Sequence, residues 1–274
     1  MRLVAVGDAF VDVVCDTLPQ AGERRHGRVT LRAGGSAVNA ALETAGLGAE
    51  AGVVARVGSD AAGDFIVDTL ESSGVVARIA RDPELATGVA VALADAVVAD
   101  RGANARLSPA DIPDPLEADV LLVSGFALFQ QGSDEAARVA LERFAGTLAA
   151  IDLGSPALAA RADFDRGQLR VDVVLATAEE ARALTGAEPG DAVWKLAERY
   201  PIACVKLGRE GALAVREGAL ERSAAAPVER AAPFGAGDAF AAAFLVSLAG
   251  GESLKRALDR ACEAGAEALA SRSL

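Results

Sequence analysis

"PFGAGDAFAAAFLVSLAGG", Pro233–Gly251, joins a loop almost without side chains to a long apolar segment, with one carboxylate, Asp238, at the junction. The alanines that follow, Ala239 and Ala241 to Ala243, let a helix bury tightly against its neighbours. Gly235, Ala236 and Gly237 leave three consecutive backbone N–H groups unobstructed at the start of that helix, where the dipole also favours an anion. The same dipole keeps Asp238, in the first turn, ionised. Beside a bound phosphate this carboxylate can accept a proton from a hydroxyl as that oxygen attacks phosphorus. A plain helix cap after a glycine turn is the other reading of the same residues.

Working outward, short β-branched runs alternate with alanine-rich amphipathic segments. The spacing predicts strands over 3–7, 51–58, 120–125, 148–154, 171–177 and 202–208, and helices over 36–47, 60–73, 133–146, 178–185 and 190–199. Near-continuous apolar strands between helices predict an α/β fold with a mostly parallel sheet covered on both faces. Several of these strands end in Gly or a polar residue, where ligands of such sheets bind. Two stretches break the rhythm: 13–33 and 75–105 read as strand-rich with no helix between strands. They predict a small sheet built from two insertions into one domain spanning 1–274.

Bulk properties narrow the function. The 274 residues carry a net charge of −12, which disfavours nucleic acid and anionic membranes as partners. No apolar run approaches the ~20 residues of a membrane span. The start, "MRLVAVGDAFVDVV", reads as a strand rather than a leader. Cys15, Cys204 and Cys262 lack metal-ligand spacing and read as free thiols of a cytoplasmic protein.

Several chemistries drop out. His26 is the one histidine, so a zinc site with two histidines is impossible, and no G-x-S-x-G elbow accompanies it. Among Arg24, Arg25 and Arg28 it reads as a solvated residue. No Gly-Lys pair exists, so the Walker phosphate loop is absent. "GLGAEAG" (46–52) follows a helix and precedes a strand, the reverse of a dinucleotide fingerprint. An oxidoreductase therefore rests on fold class alone.

The other end of the chain adds polar groups suited to a polyol. Gly34 and Gly35 can hinge the small sheet to the core, and Asn39, four residues on, can donate and accept hydrogen bonds. Asp12 offers a carboxylate able to take two adjacent hydroxyls. Turn glycines, a helix-start amide and a strand-end acid are the plainer readings of each.

Taken in order, "GGSAVNAA" (34–41), "VARVGSDAAGDFIVDTLESSGV" (54–75), "RGAN" (101–104), "VSGF" (123–126), "EEARALTG" (179–186), "VKLGREGA" (205–212) and "APFGAGDAF" (232–240) resemble the ribokinase-like, PfkB-type carbohydrate kinases. The resemblance implies a three-layer α/β/α core with a β-sheet lid, and ATP- and Mg2+-dependent phosphorylation of a hydroxyl on a sugar or related polyol. It implies Asp238 as general base and Gly235, Ala236 and Gly237 as the anion hole, with Asp12, Gly34, Gly35 and Asn39 on the substrate. Thr177, Lys206, Gly208, Gly211 and Cys262 would border the nucleotide, and Glu180 would act on magnesium through water. It also implies a homodimer through the lid.

The chain departs from the family pattern in places. The first acid of the D-T-x-G-A-G-D pattern aligns with Ala232, followed by Pro233 and Phe234 in place of hydroxyl-bearing residues. That argues against activation by a monovalent cation. Thr177 stands where the N-x-x-E motif has Asn, and Cys262 where the family often places Asn near adenine. The alternative these departures support is a sugar- or nucleoside-binding regulatory protein that has lost turnover.

Overall fold

A computed structural model describes residues 1–15, 22–93, 96–160, 169–228 and 235–271 of the chain. In chain order it begins β1 (Arg2–Val6), β2 (Phe10–Cys15), β3 (Val29–Gly34), α1 (Ser36–Gly46), β4 (Glu50–Gly58), α2 (Ala61–Ser72) and β5 (Val76–Asp82). Next come β6 (Gly88–Leu93), β7 (Ala96–Asp100), β8 (Leu116–Glu117), β9 (Val120–Ser124), α3 (Gly125–Leu128) and α4 (Asp134–Arg143). The middle continues with β10 (Phe144–Ala145), β11 (Leu148–Asp152), α5 (Pro156–Ala159), β12 (Val173–Thr177), α6 (Ala178–Thr185) and α7 (Pro189–Ala197). The last elements are β13 (Ile202–Lys206), β14 (Ala212–Arg216), β15 (Ala219–Ser223), α8 (Ala236–Ala249) and α9 (Leu254–Ser271).

The large sheet runs β15-β14-β13-β12-β11-β9-β1-β4-β5, with β14 antiparallel to both neighbours and every other pair parallel. Its central strands are mostly apolar because successive side chains enter different cores. Leu3 and Ala5 of β1, Val120 and Leu122 of β9, and Val173 and Leu175 of β12 pack with α1, α2, α8 and α9. Their sequence neighbours Val4, Val6, Leu121, Val123, Val174 and Ala176 pack with α3 to α7 on the opposite face. This is the three-layer α/β/α core expected. Helix α8 is buried from Ala239 to Leu245, and Phe240 stacks on Phe244 with ring centroids 6.1 Å apart.

A separate four-stranded sheet runs β3-β2-β6-β7. Its membership differs from the sequence expectation. Residues 76–82 do not belong to it: they form β5, which pairs in parallel with β4 at the edge of the large sheet. The helix that makes this parallel return possible, α2, lies before the strand-rich stretch rather than inside it, so the stretch alone concealed the crossover. The stretch ends not in a strand but in a 3-10 turn, Gly102–Arg106, and the small sheet begins at Phe10 rather than residue 13. Residues 16–21 of the first insertion lie outside the described residues.

Several predicted elements are shorter than expected. Helix α4 stops at Arg143 because Phe144–Ala145 pairs with Leu116–Glu117. Strand β13 stops at Lys206, where Gly208, at φ 59°, turns the chain. Strand β12 begins at Val173 rather than 171.

The motif around Gly58 and Asp60 is architectural. Asp60 caps α2 by accepting from the Gly63 N–H at 2.8 Å, and also accepts from the Thr87 N–H at 2.8 Å and the Thr87 hydroxyl at 2.6 Å. Thr87 immediately precedes β6, so one carboxylate ties a core helix to the root of the small sheet. Burial pushes the Asp60 carboxyl up, but the bonds from Thr87 and Gly63 outweigh it and hold the group below its ordinary value.

Candidate active site

The parallel strands end together, and their carboxyl ends carry the polar groups: Asp8 just past β1, Ser124 ending β9, Asp152 ending β11, Thr177 ending β12 and Lys206 ending β13. The start of α8 faces this edge. Gly235 sits at φ 89° and ψ −7°, a left-handed conformation that suits glycine, and lets the chain swing directly into the helix. The first i→i−4 bond runs from the Ala239 N–H to the Gly235 carbonyl at 2.9 Å. The N–H groups of Ala236, Gly237 and Asp238 therefore lie upstream of it, at the positive end of the dipole. Ala232, Pro233 and Phe234 lie outside the described residues.

Packing of α1 against α8 brings together two residues far apart in sequence. The Asn39 carboxamide donates through Nδ2 to Asp238 Oδ2 at 2.9 Å. Asn39 is buried and Asp238 half-buried. Asn39 thus holds one oxygen of the candidate base, a contact not anticipated from the sequence. Upstream of α1, Asp12 lies buried with its carboxylate against Gly34, where any Cβ would collide with it. Gly35, at φ 90°, presses on the Asp8 carbonyl, and a Cβ there would collide too. These glycines are therefore required by close approach, and they connect β3, the strand paired with that of Asp12, to the Asn39 helix.

On the other side of Asp238, Lys206 Nζ donates to both oxygens of Asp152, at 2.9 and 2.7 Å. The same ammonium lies 3.6 Å from where a Cβ on Gly237 would stand. Burial pulls the Lys206 pKa down, but the charges of Asp152, Glu180 and Asp238 more than reverse it, so the ammonium stays protonated above its ordinary range. Asp152 is the residue the sequence reading missed. Its only signal was an acid closing an apolar strand in "LAAIDLG".

Thr177 and Glu180 form a capping box at the start of α6. The Thr177 hydroxyl accepts from the Glu180 N–H at 3.2 Å, and Glu180 Oε2 accepts from the Thr177 N–H at 2.8 Å. Burial raises the Glu180 carboxyl, the nearby Asp152 charge adds to this, and Lys206 opposes it. Glu180 is buried, whereas Glu179 reaches the wall of the adjoining cavity.

That cavity has a volume of about 730 Å³, within the ~300–1,000 Å³ of small-molecule sites. Thr177, Lys206, Gly208, Gly211 and Cys262, expected at the nucleotide, all line it, together with Ala236 and Gly237 at the start of α8. Asp12, Gly34, Gly35, Asn39 and Asp238 do not line it; Asp238 directly follows the lining residues Ala236 and Gly237 in α8. Asp238 thus stands between two groups of residues, one lining a cavity and one running from the small sheet's strands β2 and β3 into α1.

Two motifs prove structural. Asn104 of "RGAN" accepts from the Ala9 N–H and donates to the Ala9 carbonyl, both at 2.8 Å, clamping the β1–β2 link. Arg101 donates to the Ser133 hydroxyl at 2.6 Å and lies 3.6 Å from Asp8. Burial raises the Asp8 carboxyl, and Arg101 only partly offsets that. Gly125 of "VSGF" packs against the Leu153 carbonyl, leaving no room for a side chain. His26 is exposed, and Cys15, Cys204 and Cys262 are free. Among the described residues no helix is long and apolar enough to cross a membrane.

Known proteins resemble this chain in sequence and fold. The sequence model for pfkB family carbohydrate kinase matches residues 1–274. The 5-dehydro-2-deoxygluconokinase of Geobacillus thermodenitrificans is 27% identical, covering 100% of this chain and 88% of its own. The ATP-dependent ribose-1-phosphate kinase of Halopiger xanaduensis is 31% identical, covering 97% and 91%. The crystal structure of fructokinase from Vibrio cholerae O395 in fructose, ADP and calcium ion bound form is 25% identical, with TM-score 0.81 over 98% of this chain and 92% of that one.

Proposed function

Because the chain belongs to the pfkB family of carbohydrate kinases, we propose that it transfers the γ-phosphoryl group of ATP to a hydroxyl of a sugar or related polyol. The observation that carries the reading is Asp238. It stands in the first turn of α8, fixed by Asn39 at 2.9 Å, beside a helix start and a lysine that border a nucleotide-sized cavity.

In this reading the substrate lies under the small sheet with its hydroxyl directed at the Asp238 carboxylate. The proton passes to Asp238 as the hydroxyl oxygen bonds to the γ-phosphorus. The bond from that phosphorus to the β–γ bridging oxygen breaks, and ADP leaves with the electron pair. The Ala236 and Gly237 amides and the Lys206 ammonium stabilise the charge on the transferred group. Asp12 takes substrate hydroxyls, and the glycines at 34 and 35 act as the hinge of a lid formed by the small sheet. Lid closure removes water that would otherwise compete as acceptor.

Magnesium fits the donor set in a limited way. No group of three or more His, Cys, Asp or Glu side chains among the described residues forms a metal cage. Magnesium usually needs only one or two carboxylates besides the nucleotide's phosphates. Asp152 and Glu180 are hard oxygen donors of that kind, and they would face the ion, Glu180 through water. When bound, the ion neutralises phosphate charge.

The test is ADP release with ATP and magnesium across neutral sugars, sugar acids and nucleosides, run beside Asp238→Asn. One class should stimulate release, and the variant should lose roughly 10² to 10⁴ in kcat while still binding ADP. ADP binding with no stimulation by any class would favour the sugar-binding regulatory alternative. Absence of both would sink the kinase reading.

A further inference from the structure

The walls of the 730 Å³ cavity divide sharply by chemistry. Thr177, Glu179, Lys206 and Arg209, its polar and charged side chains, all come from the ends of β12 and β13 and the turns that follow. The other wall comes from α9 and the extended segment 225–228. Cys262, Gly265, Ala266 and Leu269 recur at i, i+3, i+4 and i+7, so they form one face of α9. Ala225, Ala226, Pro227 and Val228 continue that wall. None of these side chains carries an amide, a hydroxyl or a charge.

The single polar atom among them is the Cys262 sulfur, a weak hydrogen-bonding group. Burial pushes this thiol up from its ordinary value, so it stays protonated, with Ser223 as a neighbour. The Ser223 hydroxyl in turn donates to Asp259 at 2.7 Å. Gly265 adds closeness rather than chemistry: a Cβ there would stand 3.3 Å from the Ala236 carbonyl, so α9 lies directly on the start of α8.

We infer that the base subsite takes a purine by shape and apolar contact rather than by reading its 6-position, so that GTP and ITP serve as phosphoryl donors alongside ATP. The inference rests on the kinase reading, which assigns the polar wall to the phosphates and leaves the apolar wall to the base. A site built to hydrogen-bond its ligand rejects a mismatched one by about 10⁴ to 10⁵, whereas an apolar pocket achieves only about 10². Adenine presents a donor at position 6, and guanine and hypoxanthine an acceptor. On this apolar wall the remaining polar groups outside α9 are main-chain atoms of 225–228. These present N–H and C=O side by side, with Pro227 lacking the N–H, and can serve both kinds of substituent.

The experiment measures Kd for ADP, GDP and IDP by calorimetry on the full chain with magnesium, with mutual competition to show one site, then kcat/KM for the matching triphosphates. Ratios between ATP and the 6-oxo donors below about 10² are expected. Tight ADP binding with larger ratios would overturn this inference and leave the kinase reading standing. Failure of every nucleoside diphosphate to bind would overturn both. Cys262→Asp adds an acceptor without a donor to the α9 wall, and is expected to raise the ATP:GTP ratio at least about tenfold, the scale of one charged hydrogen bond. An unchanged ratio in a folded variant would overturn the assignment of this wall to the base.

Discussion

Asn39 and Asp238 show how one amide can set the behaviour of a base. The Nδ2 donor holds Asp238 Oδ2 at 2.9 Å and so fixes the orientation of the carboxylate. Asn39→Asp would replace that donor with a second carboxylate at hydrogen-bond range. Two such groups cannot both ionise easily, so the base would hold its proton to higher pH. The acidic limb of kcat/KM should move upward, with much of the rate regained on the alkaline side. A variant merely loosened in structure would lose rate evenly at all pH values, and that outcome would deny Asn39 its positioning role. Lys206 illustrates the complementary case: three acids hold it charged in spite of burial, which suits a group meant to meet phosphate.

Among the elements, α2 and β6 are joined at a single carboxylate. Asp60→Ala removes the N-cap of α2 and both bonds from Thr87, and a cap alone is worth about 0.5–2 kcal/mol. Urea unfolding at pH 7 should show a loss of about 2 kcal/mol, the upper end of that range with the Thr87 bonds included. The sign with pH follows from the depressed folded-state pKa. The contribution is complete above the unfolded value near 4 and disappears as pH falls through the lower folded value. Wild type and variant should therefore converge in acid; a constant difference down to pH 2 would show that Asp60 acts by packing rather than charge. The other cap, Thr177–Glu180, explains why Thr can stand at that motif position. Its hydroxyl still starts the helix that carries Glu180.

At the scale of the whole molecule, two apolar clusters flank one sheet, and Asp60 and Thr87 tie the root of the small sheet to the core. If that sheet is the lid, substrate and a non-hydrolysable ATP analogue together should slow hydrogen exchange in 10–15, 29–34 and 88–100 far more than in the core strands. Unchanged exchange there, with both ligands bound, would remove the lid from the mechanism. The layered core was legible from the sequence because its signal is local: unbroken apolar strands of five or so residues, then helices, read directly as a sheet covered twice. The glycine turn into α8 was equally legible, since three bare residues before an acid constrain geometry by themselves. The cavity-lining set at 177, 206, 208, 211 and 262 came from the order of motifs, not from any spacing. What only tertiary structure decided were the pairings: β5 with β4 rather than with β6, Asp152 with Lys206, and Asn39 with Asp238 across 199 positions. Periodicity reports which face of an element is buried, whereas a partner is chosen by how strands and helices stack, and that information lies in no single stretch of chain.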